Sequence, residues 1–150
     1  MIQGYPLGYA WGMTTREITL ETLNETITGN DVVLLDFWAE WCGPCRQFGP
    51  VFESASEAHP DIVFGKIDTE AQRELAAGFQ ITSIPTLMAF REGILIFSQP
   101  GALNATQLAA VVDGVKGLDM DEVRASIAEQ EAAADAQERA AEAAAEGDAR

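Results

Sequence analysis

An α/β domain with a mixed five-stranded sheet flanked by helices is the fold class that this 150-residue chain predicts, on three observations. Short apolar runs with strand character alternate with helical patterns from Arg16 to Val115. Apolar residues make up 47% of the chain, enough for one domain with a proper core. The only two cysteines stand in Trp41-Cys42-Gly43-Pro44-Cys45, directly after the most apolar run.

Residues 16 to 20 suit a short edge strand, and Glu21 to Thr28 a helix that ends at Gly29-Asn30. Val32 to Ala39 is a continuous apolar run broken by one carboxylate, Asp36, which predicts a central strand buried on both faces. Arg46 to Ala58 has a helical pattern with Phe48, Val51, Phe52 and Ala55 on one side, and Pro50 is expected to kink it. A strand fits Ile62 to Ile67, a short helix Ala71 to Ala77, and strands Thr86 to Phe90 and Ile94 to Ser98 flank a hairpin at Gly93. Asn104 caps a last helix that turns Leu108, Val111, Val112 and Val115 inward. Strands alternating with helices imply parallel pairing, and the closing hairpin adds antiparallel strands.

Residues 1–13 read as a flexible leader, broken by Gly4, Pro6, Gly8 and Gly12, and residues 14–118 as the domain. Residues 119–150 are an acidic Ala/Glu-rich helical extension with ten acidic residues against three arginines. Glu138, Glu142 and Glu146 repeat at four-residue spacing and repel one another, which favours a solvated, frayed helix. Its rival is a partner-binding helix using Met120, Val123 and Ile127. The net charge of −15 argues against nucleic acid and against an anionic membrane surface, since neither would gain counterion release. With no basic start followed by an apolar stretch, the cytoplasm is the expected compartment.

Two cysteines so close together would close a loop too short to stabilise much as a structural bridge, so chemistry is the better motive. The thiolate is the species that attacks a disulfide, and a helix N-terminus stabilises that anion. Cys42 is placed at the junction of the central strand and the following helix, accessible, with Cys45 one turn further in and shielded. Cys42 then forms the mixed disulfide, and Cys45 attacks it to release the reduced target. Pro44 fits the first helical turn and Gly43 a tight bend. Asp36, buried, should have a raised pKa and is a candidate proton acceptor for Cys45. Lys66, on a neighbouring strand, is its candidate charge partner. Pro85, after Ser83-Ile84 and before a strand, marks a special turn.

Asp36-Phe37-Trp38-Ala39-Glu40-Trp41-Cys42-Gly43-Pro44-Cys45, with Pro50, Lys66, Ile84-Pro85-Thr86, Gly93 and Gly101 at matching spacings, resembles the thioredoxin family over residues 14 to 118. The resemblance implies the thioredoxin fold and a thiol-disulfide oxidoreductase acting as a protein-disulfide reductase. It also implies a cis peptide before Pro85 facing the dithiol, a buried Asp36 serving Cys45, and an apolar surface for target backbone at Trp41, Gly43, Pro44, Ile84, Pro85 and Gly101. No bound cofactor is implied: electrons are expected from NADPH through a flavin-containing thioredoxin reductase. Targets of the kind implied are ribonucleotide reductase and peroxiredoxin-type enzymes. Arg46 departs from the lysine common in the family, Gln47-Phe48-Gly49 falls in a variable stretch, and the acidic extension is not part of the standard domain.

Other readings compete with these. A CxxC can be half of a zinc site, but with only His59 besides, four ligands are hard to find. Asp36 and Lys66 can be structural, as a paired buried acid and an ordinary strand lysine. The same fold serves disulfide oxidases and isomerases, against which the Gly-Pro dipeptide and the lack of an export signal argue. A redox-independent binding module or holdase is the reading from another class.

Overall fold

The computed structural model describes residues 14–148; the leader expected over 1–13 lies outside them. Five strands, β1 (Thr15–Glu17), β2 (Val32–Trp38), β3 (Val63–Asp68), β4 (Thr86–Arg91) and β5 (Ile94–Pro100), form one mixed sheet in the order β1-β3-β2-β4-β5. Between and after them run the helices α1 (Leu20–Thr28), α2 (Gly43–Ala58), α3 (Arg73–Gly78) and α4 (Ala105–Lys116). This is the mixed five-stranded α/β architecture that the sequence predicts.

β2 is central because nearly every residue in it is apolar, and a strand with apolar side chains on both sides needs cover on both. Val32 and Leu34 pack with Phe48 and Phe52 of α2 and Leu108, Val112 and Val115 of α4. Val33, Leu35 and Phe37 point the other way, into a cluster with Leu23 and Ile27 of α1 and Leu75 of α3. Side chains alternate along a strand, so Asp36 shares the α2 side with Val32 and Leu34. On β3 the same alternation puts Lys66 on that side with Ile62 and Phe64.

β1 and β2 both pair with β3 in parallel, as alternating strands and helices require. The closing hairpin adds the antiparallel strands expected of it: β4 runs antiparallel to β2, with Thr86 opposite Phe37. α3 spans only Arg73–Gly78, too short to carry the chain back along the sheet. The reversal puts the start of β4 beside the end of β2, and with it the Ile84–Pro85 peptide, which is cis. The β4–β5 hairpin turns at Glu92 and Gly93, whose φ values of 52° and 79° suit a tight two-residue turn.

Element boundaries differ from the sequence reading where local chemistry was underestimated. β1 is Thr15–Glu17 and not 16 to 20, because Thr19 is already the N-cap of α1, in a capping box with Thr22. α2 starts at Gly43, three residues before the expected Arg46, because Pro44 needs no N–H partner in the first turn. α4 is capped by a reciprocal pair: Gln107 N–H donates to Asn104 Oδ1 at 2.8 Å and Asn104 N–H to Gln107 Oε1 at 2.9 Å. At its far end one Arg91 nitrogen donates to the carbonyls of Val115 and Lys116, at 2.8 and 3.0 Å. Lys116 pairs with Asp61 at 2.8 Å.

The chain divides into two compact units, one ending at Lys116 and one beginning at Gly117. The second consists largely of a single helix, α5 (Met120–Asp148). Asp119 Oδ1 accepts from the Asp121 and Glu122 amides at its start, and its residues from Ala128 to Gly147 are all exposed. Among the described residues no helix is long and apolar enough to cross a membrane.

Two outcomes are expected from this packing. A Cβ at Gly65 would lie 2.6 Å from Ile18 Cγ1 and 3.0 Å from Leu35 Cδ2, so Gly65→Ala is expected to cost about 2 kcal/mol, read as a lowered urea midpoint. Because both ends of α4 are satisfied from within the first unit, a chain ending at Leu118 is expected to keep one cooperative urea transition. Gradual, non-cooperative unfolding would make α5 part of the domain.

Candidate active site

The site stands where β2 ends and α2 begins. β2 delivers the chain to Ala39, a turn closes with the Cys42 N–H donating to the Ala39 carbonyl at 3.2 Å, and α2 starts at Gly43. Cys42 is the N-cap of α2: its Sγ accepts the Cys45 N–H at 3.2 Å, satisfying an amide that has no partner inside the helix. Cys42 and Cys45 are joined as a disulfide, with Cα atoms 5.3 Å apart.

Exposure does not separate the two cysteines as the sequence predicts. In the disulfide both are buried, Cys42 4% and Cys45 5% exposed, in a small cluster with Ala39, Trp38 and Ile84. Surroundings separate them. Cys42 Sγ lies 3.7 Å from the Ile84 carbonyl oxygen. Cys45 lines a cleft of about 200 Å³ on the other side, with Trp38, Ala39, Glu40, Arg46, Gly49 and Lys66.

Asp36 is fully buried, and neither carboxylate oxygen has a hydrogen-bond partner. Loss of solvent raises its pKa from 3.8 to about 7, against the opposing pull of the Lys66 charge. Asp36 and Lys66 are direct partners across the parallel β2–β3 ladder. The Lys66 ammonium lies over the Trp38 ring, 5.0 Å from its centroid. The structure thus brings Asp36, Lys66 and Cys45 to one side of the sheet, under the first turns of α2.

Of the predicted surface residues, Trp41 is 66% exposed, Gly43, Pro44 and Gly101 are exposed, Ile84 is half-buried and Pro85 is buried. Gly101, at φ 110°, donates its N–H to the Pro85 carbonyl at 2.8 Å, which ties the end of β5 to the start of β4. Trp41 and Ile84 also meet in a pocket of about 300 Å³ that Thr69, Ala76, Ile81, Thr82 and Ser83 complete. Sequence reasoning missed those five, because nothing in their local pattern ties them to a motif far away in the chain; Glu40 stands in the motif itself, but it enters the site through its backbone carbonyl, which residue type does not reveal. Among the described residues no group of three or more His, Cys, Asp or Glu side chains is arranged to hold a metal ion.

Comparison with known proteins agrees with this geometry. The Thioredoxin family model matches residues 14–114. The chain is 60% identical over 121 residues to a Streptomyces coelicolor protein named "Putative thioredoxin 2", covering 81% of this chain and 90% of that one. It is similar in structure to a mutant thioredoxin from Halobacterium salinarum, with a TM-score of 0.66 and 30% identity over 71% of this chain and 95% of that one. A chain from a structure on thiol resolution in yeast mitochondrial 1-Cys peroxiredoxin, via glutathione/thioredoxin systems, gives a TM-score of 0.61 and 32% identity over 69% and 95% of the two chains. A cysteine pair at disulfide distance at the head of α2, in a chain so matched along its first unit, places this protein in the thioredoxin family as a protein-disulfide reductase.

Proposed function

We propose that the protein is a general cytoplasmic disulfide reductase in which Cys42 attacks, Cys45 resolves and Asp36 accepts the Cys45 proton. The observation that carries this order is the N-cap position of Cys42 Sγ, which takes the Cys45 amide and faces the Ile84 carbonyl on the side of the exposed Trp41. An anion at that sulfur is favoured by the helix terminus.

In the reduced protein the Cys42 thiolate attacks one sulfur of a target disulfide, and the other target sulfur leaves as a thiolate. Cys45 then gives its proton to Asp36, and its thiolate attacks Cys42 Sγ. The bond between Cys42 and the target breaks, the second target thiolate leaves, and Cys42–Cys45 closes as the disulfide. Two electrons pass to the target. A carboxyl titrating near 7 suits the proton transfer, because it is partly ionised at neutral pH and can both take and return a proton. Lys66 biases Asp36 towards its ionised form.

Trp41, Gly43, Pro44, Ile84, Pro85 and Gly101 form the surface on which target backbone would lie. The electrons that return the disulfide to the dithiol would come from NADPH through a flavin-containing thioredoxin reductase, with no cofactor held by this chain. Ribonucleotide reductase and peroxiredoxin-type enzymes fit as targets; the similarity to a chain from a peroxiredoxin system supports the second.

The midpoint potential tests the direction of electron flow. Thioredoxins lie near about −270 mV, and a value there is expected; one near about −120 mV would mean an oxidase. Brief iodoacetamide treatment of the reduced protein followed by mass mapping should find Cys42 labelled before Cys45, and equal labelling would remove the assigned order. Cys45→Ser should hold targets on Cys42 as mixed disulfides, and Cys42→Ser should hold none.

Asp36 carries a pH prediction. Its folded pKa of about 7 lies above the unfolded 3.8, so between these values the native state holds the proton that the unfolded state has lost. Stability therefore falls as pH rises through this window and levels off above about 7, by a total on the order of 4 kcal/mol. Asp36→Asn should be more stable than the parent at pH 8, equal to it near pH 4, and slower in reducing insulin. Urea midpoints across this range and insulin turnover read both; unchanged turnover from pH 6 to 9 would return Asp36 to a structural role.

A further inference from the structure

Arg46 follows Cys45 in the first turn of α2. A cation there opposes the helix dipole, so helix stability does not account for it. Its guanidinium turns back across the loop instead: Nε and Nη2 both donate to the Glu40 carbonyl oxygen, at 3.2 and 3.0 Å. Trp41 and Cys42 lie between the two ends of this contact. Within the same segment the Arg46 N–H donates to the Cys42 carbonyl at 3.3 Å, and Cys42 Sγ accepts from Cys45. The fork therefore ties the turn before Cys42 to the helix turn that carries Cys45.

Glu40 and Arg46 also form one wall of the cleft that Cys45 and Lys66 line. Gly49 lines the cleft beside the lysine, where a Cβ would make ordinary contact with Lys66 Nζ at 3.9 Å. Cys45, 5% exposed, lines this cleft, while Cys42 Sγ lies 3.7 Å from the Ile84 carbonyl oxygen, so a small reagent bound for Cys45 would have to enter by the cleft. Loosening the Ala39–Trp41 turn would widen the approach to the resolving sulfur without altering any reacting group.

We propose that Arg46 is a positioning residue for the resolving step: its fork onto the Glu40 carbonyl holds the Ala39–Trp41 turn closed along the cleft and restricts access to Cys45. A planar guanidinium can place two donors on one carbonyl, which the compact ammonium of lysine cannot do in the same geometry. The proposal rests on the order of attack given above, yet its test reads Cys45 alone, so either can fail without the other.

The test places Arg46→Lys and Arg46→Met in the full-length chain carrying Cys42→Ser, and follows iodoacetamide alkylation of Cys45 from pH 6 to pH 11. The midpoint of each profile reads the charge felt by the thiol, and the plateau at high pH reads access. Loss of the strap should raise the plateau about fivefold in both variants, the size of one net hydrogen bond, while the midpoint shifts only in Arg46→Met. A plateau equal to the parent's, or raised in Arg46→Met but not in Arg46→Lys, would overturn the proposal. If Arg46→Met does not fold, Arg46→Lys carries the decision with amide exchange: faster exchange at Trp41 and at position 42 is expected, and unchanged exchange overturns the strap.

Discussion

A strand covered on both faces has no place for a charged side chain, yet β2 holds Asp36 fully buried with no hydrogen-bond partner on either oxygen. Taking a carboxylate out of water disfavours its charge, and the carboxyl answers by titrating near 7. That constraint organises the rest of the site. β2 must be central to bury Asp36, and a central strand in this topology ends where a helix begins. The free amides of that helix meet Cys42, and α2 lies over the same side of the sheet as the carboxyl. The buried acid and the helix-capping sulfur are two consequences of one strand position.

The reversal at β4 supplies the remaining part. Had α3 returned the chain for another parallel strand, Ile84 and Pro85 would enter the sheet at the end opposite to the cysteines. Antiparallel pairing of Thr86 with Phe37 brings them to the same end. The redox pair then has two unlike sides. Trp41 and Ile84 line an apolar pocket together with Thr69, Thr82 and Ser83. Cys45, Lys66, Arg46 and Glu40 line a smaller cleft on the other side, which carries the charged side chains. In the proposed mechanism a protein target would lie on the first side and the proton would move on the second, so the two would not compete for space.

Much of this was legible in the chain because the informative signals were local. The apolar run with one acid gave β2, and Cys42-Gly43-Pro44-Cys45 gave the helix start in type, though Pro44 moved its boundary to Gly43. The closing hairpin at Gly93 marked β4 and β5 as the antiparallel strands, but which strand β4 would pair with was hidden, because that depends on how far α3 carries the chain and not on any residue in β4. Equal burial of the cysteines was hidden too: it comes from the packing of Ala39, Trp38 and Ile84 around the closed disulfide. Thr69, Thr82 and Ser83 become neighbours of Trp41 only through the fold. Arg46 was visible as a substitution for a common lysine, but the carbonyl it grips was not.

Lys66 shows how geometry decides an electrostatic role that residue identity leaves open. The register places it opposite Asp36, where a direct ion pair would satisfy the buried carboxylate and pull its pKa back towards the ordinary range. The carboxylate oxygens have no hydrogen-bond partner, and the ammonium instead lies over the Trp38 ring. The lysine charge therefore acts across space as a partial offset to desolvation. The distinction matters for proton transfer. A carboxyl clamped by an ammonium would be a poor base at neutral pH, because it would hold its charge too firmly to accept a proton. Left unpaired with no counter-charge, it would stay protonated and again accept nothing. With its ammonium over Trp38, Lys66 leaves Asp36 between these limits, as the proposed proton transfer from Cys45 requires.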